Sequence, residues 1–270
     1  MEFVVGTLPT ITLVFLRVFV SAISFFLIAY FMNVPLPKSL KTWALMLGLG
    51  SYALALPFSL ITWSQIHLDS SLVGILTPTV PLVTALLAHF LTEDEKLTKA
   101  TIIGLTLGIA GASIIIGPSA LGSFDVTSIA QFALIAAFSC FALANISFKK
   151  MGHVHPVMLN AGMMLGAALW LLPLSLAQSE QWYVPETSMI LALAAQIFIG
   201  TVLAYIIYLV IIGRAGATNA ALVTFLIPIV TILLGTLILG ERPAPSAYLG
   251  MVVIFIGLMI KDRRIPFLKF

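Results

Sequence analysis

Apolar runs of roughly 20 residues, almost free of charge, recur from one end of this sequence to the other. An α-helix rises about 1.5 Å per residue, so each run is long enough to cross the roughly 30 Å hydrocarbon core of a bilayer. In that solvent a backbone must satisfy its own hydrogen bonds, which a helix does. No water-soluble core has room for so many such runs. Of the 270 residues, 61% are hydrophobic and only 9% charged, against about 25% charged in an ordinary soluble domain. The fold class is therefore an all-α membrane protein, a polytopic helical bundle whose first partner is the lipid bilayer.

Polar and Gly/Pro breaks divide the chain into nine expected spans. They run at about Pro9 to Phe31, Lys41 to Gln65, Ser70 to Thr92, Thr98 to Ile116, Val126 to Phe148, Val154 to Ala177, Ser188 to Ile212, Ala217 to Leu239 and Pro245 to Ile260. The longest connection, near Ala177 to Ser188, holds Gln178, Ser179, Glu180, Gln181 and Trp182 and has no room for a soluble domain. If the spans alternate, Lys38, Lys41, Lys96, Lys99, Lys149, Lys150, Arg214, Lys261, Arg263, Arg264 and Lys269 share one side, and only Arg242 lies on the other. Cytoplasmic loops carry the excess of Lys and Arg, so the crowded side and the C-terminus are expected in the cytoplasm, with Met1 outside. Residues 1–10 lack the charged and small-residue pattern of a cleaved secretory signal.

Charge and cysteine content exclude several functions. The net charge of +3 is spread over short loops with no basic patch interleaved with aromatics, so no nucleic-acid partner is expected. Cys140 is the single cysteine, which excludes an internal disulfide. His153 and His155 flank Val154 without further ligands, so neither a metal nor any other cofactor is expected. An enzyme would need carboxylates, histidines or an activated nucleophile gathered at one face, and the scattered acids and histidines offer no such constellation.

The two halves repeat each other. Span three reads SSLVGILTPTVPLVTALLAHFLTEDEKLT and span eight reads TNAALVTFLIPIVTILLGTLILGERPA, which aligns Pro81 with Pro228 and, after one extra loop residue, Glu95 with Glu241. Gly104 and Gly111 of span four match Gly250 and Gly257 of span nine. The copies lie five spans apart. Five is odd, so the copies enter the membrane from opposite sides, the inverted-topology arrangement of many secondary transporters. The expected domains are residues 1–116, carrying four helices of a first repeat, residues 126–260, carrying five helices of a second, and a basic cytoplasmic tail at 261–270. Two inverted five-helix repeats with nine spans present leave the fifth span without a partner. A further helix upstream of Met1 would supply it and return the N-terminus to the cytoplasm; a genuine nine-span protein is the other reading.

With that architecture the chain resembles a bacterial member of the drug/metabolite transporter superfamily, in its EamA family. The resemblance rests on PFSLITWSQ at 57–65, TPTVPLVTALLAHFLTEDEKLT at 77–98, GTVLAYIIYLVIIGRAGATNAALVTFLIPIV at 200–230 and LGERPAPSAYLG at 239–250. It extends over essentially the whole chain, and the order, spacing and repetition of the segments carry it. It implies ten helices in two inverted repeats, a place in the bacterial plasma (inner) membrane, and export of amino acids or other small metabolites. The departure is the absent first helix, which in that fold helps wall a central cavity.

Candidate site residues follow from where polar, aromatic and helix-breaking residues fall. Pro81 and Pro228 lie near the middle of their spans, where each removes a backbone donor, and Thr77 and Thr79 offer hydroxyls to freed carbonyls or to substrate. Tyr52, Trp63 and Tyr205 present aromatic faces that accept apolar groups or ammonium, although Trp63, near a span end, equally suits an interfacial belt. Asn145, with Gln131, Asn160 and Gln196, is polar within an apolar span, where interhelical hydrogen bonding is the more common role. Arg17 lies about eight residues into the first span. It is expected either to meet a substrate carboxylate or to snorkel to the outer interface, and side-chain length favours the second. No acid lies mid-span, so a buried proton relay has no support. Gly104, Gly108, Gly111, Gly162, Gly166, Gly250 and Gly257 offer close-contact surfaces usable within one chain or in a homodimer.

The leading reading is a small-metabolite transporter working by alternating access around a midplane cavity. A second keeps the fold without flux: a non-transporting membrane protein, or an inactive fragment lacking its first helix.

Overall fold

The computed structural model describes residues 8–91, 97–116, 126–149, 151–178, 186–208, 210 and 223–261, and among these it is helical throughout its regular structure. The helices are α1 (Thr10–Phe31), α2 (Leu40–Gly50), α3 (Leu56–Ser64), α4 (Ser70–Leu76), α5 (Thr79–Leu91), α6 (Lys99–Ile116), α7 (Val126–Lys149), α8 (Pro156–Ala177), α9 (Thr187–Ile197), α10 (Val223–Ile238) and α11 (Pro245–Lys261). A π-helical segment, Ser51–Ala55, joins α2 to α3. A second, Phe198–Leu203, continues α9 toward Tyr208. Six helical stretches are long and apolar enough to cross a membrane: Thr10–Phe31, Leu40–Ser64, Ser70–Leu91, Val126–Phe148, Pro156–Ala177 and Thr187–Tyr208. Shorter apolar helices lie at Lys99–Ile115, Ile227–Ile238 and Pro245–Lys261, within the remaining three expected spans. The chain is a polytopic helical membrane protein.

Helix ends have local causes. Asn33 adopts the left-handed conformation that closes α1, and the Asn33 and Val34 amides return to the carbonyls of Tyr30 and Ala29. Thr98 caps α6 by accepting the Thr101 amide at 3.2 Å. His89 Nδ1, in the last turn of α5, accepts the Leu97 amide at 3.2 Å. Gly240, at φ +69°, makes the turn after α10 that returns the Glu241 amide to the Gly235 carbonyl.

The chain separates into two compact units, each drawing helices from both halves of the sequence. Unit 1 comprises residues 1–66 and 147–220. Its centre is α1 against α8. Ser175 Oγ donates to Thr12 Oγ1 at 3.1 Å, which sets the start of one helix beside the end of the other, so the pair is antiparallel. α2 packs on α8 through glycines: a Cβ on Gly50 would stand 2.6 Å from the Ala167 nitrogen, and one on Gly166 2.6 Å from Leu47 Cα.

Unit 2 comprises residues 67–146 and 221–270. Gly104 faces Gly257 while Gly111 faces Gly250, so α6 and α11 are antiparallel with backbones in contact. α4 and α10 cross where Gly74 meets Thr231 and Ser71 meets Gly235, again antiparallel. In all three pairs, helices five spans apart lie antiparallel, as inverted repeats require. Among the described helices α7 has no repeat-related counterpart. Large apolar side chains such as Trp170, Leu191, Ile199, Leu233 and Leu237 are exposed, as helices presenting a face to lipid should be.

Candidate functional site around Arg17

In unit 1 the π-segments occupy repeat-related places in span two and span seven. A π-turn sets the backbone one residue out of α-helical register, and such bulges gather at functional sites. Phe58 follows the first segment by three residues and Tyr205 follows the second by two. Both are neighbours of one side chain, Arg17 of α1.

Arg17 Nε donates to Thr201 Oγ1 at 2.9 Å, and its guanidinium carbon lies 4.0 Å from the centroid of the Phe58 ring. Thr201, fully buried, donates in turn to the Gln196 carbonyl at 3.0 Å, five residues back and so at π spacing. One hydroxyl thereby accepts from the cation and donates to the backbone of the irregular turn. Tyr205 is close enough to interact electrostatically with Arg17, and its ring meets Phe25 edge-on at 6.4 Å. Arg17 itself is half-buried. No carboxylate among the described residues pairs with it. A buried guanidinium usually has such a counter-charge, so this cation is held by a hydroxyl and an aromatic face, with charge to spare.

The other expected site residues separate. Tyr52 lies in the first π-segment, and its hydroxyl donates to Ser147 Oγ at 2.8 Å, still within unit 1. Trp63 is half-buried in the last turn of α3. Asn145 is exposed near the end of α7. Thr77, Thr79, Pro81 and Pro228 belong to unit 2. There the helix breaks at Thr77–Pro78, between α4 and α5, and Pro81 sits in the first turn of α5, where a missing amide is tolerated. The two hydroxyls are already engaged, Thr77 with the Val73 carbonyl at 3.1 Å and Thr79 with the Leu76 carbonyl at 2.7 Å. Pro228, by contrast, is inside α10, with Thr231 Oγ1 donating to the Ile227 and Pro228 carbonyls. The aligned prolines thus occupy different local structures. Asn160 Nδ2 donates to the Pro156 carbonyl within its own helix, and Gln131 Oε1 is buried without a partner among the described residues. Glu93, Asp94, Glu95, Arg214 and most of the basic tail lie outside the described residues.

Sequence reasoning singled out Arg17 and Tyr205 but not Phe58, Thr201 or Phe25. Thr201 left a faint signal, a hydroxyl within an apolar span. The π-turn that aims it has no signature in residue type.

The EamA-like transporter family matches residues 1–117 and 128–260. A probable amino-acid metabolite efflux pump of Salmonella typhimurium is 28% identical over 62% of this chain and 59% of its own length. An uncharacterized transporter of Bacillus subtilis is 29% identical over 69% of this chain and 58% of its own. A probable terminal-alkyne amino-acid exporter of Streptantibioticus cattleyicolor is 23% identical over 76% of this chain and 68% of its own. The chain thus spans about three fifths of the Salmonella and Bacillus relatives. A solved crystal structure shares the fold, with a TM-score of 0.68 at 17% identity over 96% of this chain and 90% of that one.

Proposed function

Because this chain belongs to the EamA-like transporter family, we propose that it is a non-enzymatic secondary transporter that exports amino acids or related small metabolites. The family match over both halves carries this reading, and the exporter names of the Salmonella and Streptantibioticus relatives support it. Alternating access of an inverted repeat around a midplane site is the proposed mechanism. The compactness of each unit, with repeat-related helices packed antiparallel inside it, supports this reading, because a compact unit suits movement as a body. Asp69, Glu186 and Glu241 are at helix ends, so transport is proposed to run by facilitated movement or exchange rather than through a membrane-buried carboxylate.

The proposed location is the bacterial plasma membrane with the C-terminus cytoplasmic, a topology that the excess of Lys and Arg on one side supports. Efflux from preloaded bacterial cells, with a panel of amino acids and metabolites compared at matched membrane abundance, tests the function. Selective efflux dependent on this chain is expected; no efflux of any member would favour the non-transporting reading. A C-terminal reporter fusion active only outside the cytoplasm would reverse the topology.

A further inference from the structure

We infer that the two terminal nitrogens of Arg17 form a binding site for the carboxylate of a substrate with an apolar or aromatic body. The inference rests on the transport reading and names the chemistry its substrate would present in unit 1.

The argument begins with what the guanidinium has already committed. An arginine carries five N–H donors in a planar fork, one at Nε and four on the terminal nitrogens. Nε is spent on Thr201 Oγ1 at 2.9 Å, and the guanidinium carbon lies over the Phe58 ring, 4.0 Å from its centroid. These two contacts hold the guanidinium in place beside the π-segments. No hydrogen bond of the terminal nitrogens occurs among the described residues, and they are not among the buried atoms left without a partner. They are therefore reachable and unspent. The end of the fork is the geometry that pairs with a carboxylate through two parallel hydrogen bonds.

Burial sharpens the demand. A guanidinium within a membrane-spanning helix is costly, and cations in such positions pair with anions or line a path for them. Here the surrounding groups are the Thr201 hydroxyl and the Phe58 and Tyr205 rings, the second backed edge-on by Phe25. One cation balances one negative charge, which points to a monocarboxylate rather than a phosphate or a dicarboxylate. The rings point to an apolar or aromatic remainder. Thr201 is the positioning residue: its bond to the Gln196 carbonyl leaves its lone pair aimed at Nε.

The test uses the purified full chain in detergent and reads thermal unfolding with phenylalanine, 3-phenylpropionate, phenylalaninamide and phenethylamine as probes. The two acids are expected to raise the unfolding temperature, while the amide and the amine are not. Arg17→Gln is expected to weaken the response to the acids at least tenfold, with Arg17→Lys intermediate because it keeps the charge and loses the fork. If Arg17→Gln does not fold, discrimination between acid and amide by the unaltered chain decides alone. Equal responses to acid and amide, a full acid response in Arg17→Gln, or no response to any probe would overturn the site. Efflux measured separately in cells distinguishes the two ideas: flux retained without acid discrimination removes the Arg17 site and leaves the exporter reading standing.

Discussion

Gly104 and Gly257 meet backbone to backbone, leaving no space for a side chain on either: a Cβ on Gly104 would lie 2.6 Å from the Gly257 carbonyl oxygen, and one on Gly257 2.7 Å from that of Gly104. Both oxygens belong to helices and cannot swing aside. Gly104→Ala or Gly257→Ala is therefore expected to force α6 and α11 apart and destabilise by about 1–3 kcal/mol, the usual cost of overpacking. Gly48 supplies the control, since its Cβ would meet nothing within 4 Å. Gly48→Ala should leave stability unchanged or raise it by up to about 1 kcal/mol through helix propensity. Thermal unfolding in detergent separates the two sites, and equal behaviour of Gly48→Ala and Gly104→Ala would contradict the packing argument.

Glu241 is the buried carboxylate among the described residues, and it reaches from the loop after α10 to the start of α4. There it accepts the Ser70 and Ser71 amides, each at 2.8 Å, and the Ser71 hydroxyl. Asp69, at the position that would ordinarily cap α4, makes no side-chain cap. Glu241 supplies the acceptors instead and places negative charge where the helix dipole favours it. Hydrogen bonds to a charged group contribute about 1.5–3 kcal/mol each when a partner is deleted. With three such bonds, Glu241→Ala is expected to cost at least about 3 kcal/mol and Glu241→Gln less, because the amide keeps one acceptor oxygen. Unfolding of the two variants side by side provides the check, and a neutral Glu241→Ala would remove the capping role.

The membrane class and the approximate position of the spans were legible because apolar length is a property of residue type. The repeat alignment equated Gly104 with Gly250 and Gly111 with Gly257, but the contact of Gly104 with Gly257 and of Gly111 with Gly250 depends on how α6 and α11 pack. The regrouping of helices into two units was not, since α1 and α8, far apart in the chain, are joined by a contact as local as Ser175 to Thr12. Arg17 announced itself as a charge in an apolar span. Its partners did not, because a π-turn comes from backbone register and Phe58 is one of 18 phenylalanines. The alignment of Pro81 with Pro228 suggested two equivalent breaks. The break falls instead at Thr77–Pro78, since a second proline three residues upstream closes the helix before Pro81 is reached.

That asymmetry predicts unequal proline variants. Pro228→Ala restores a donor inside α10 and should impair efflux more than membrane abundance. Pro78→Ala should do the same by favouring a continuous helix across Thr77 and Thr79. Pro81→Ala changes a first-turn position whose amide has no obligatory partner, so its effect is expected to be the smallest. Efflux normalised to membrane abundance ranks the variants, and retained flux in both Pro228→Ala and Pro78→Ala would remove the hinge assignment.

Thr201 offers the most specific test of how the cation is held. Valine has nearly the shape of threonine, so Thr201→Val keeps the packing of a fully buried position while deleting one acceptor and one donor. Arg17 Nε then loses its partner at 2.9 Å, and the Gln196 carbonyl loses the hydroxyl at 3.0 Å. Leaving a buried charged donor unpaired costs about 1.5–3 kcal/mol and the lost carbonyl bond about 1 kcal/mol more, so Thr201→Val should destabilise by about 3 kcal/mol and Thr201→Ser by far less. The two losses can be parted with a double-mutant cycle. In an Arg17→Gln background the cost of Thr201→Val should fall to that of the carbonyl alone, about 1 kcal/mol. If Thr201→Val costs the same with and without Arg17, the hydroxyl serves only the π-turn, and Phe58 alone holds the guanidinium in place.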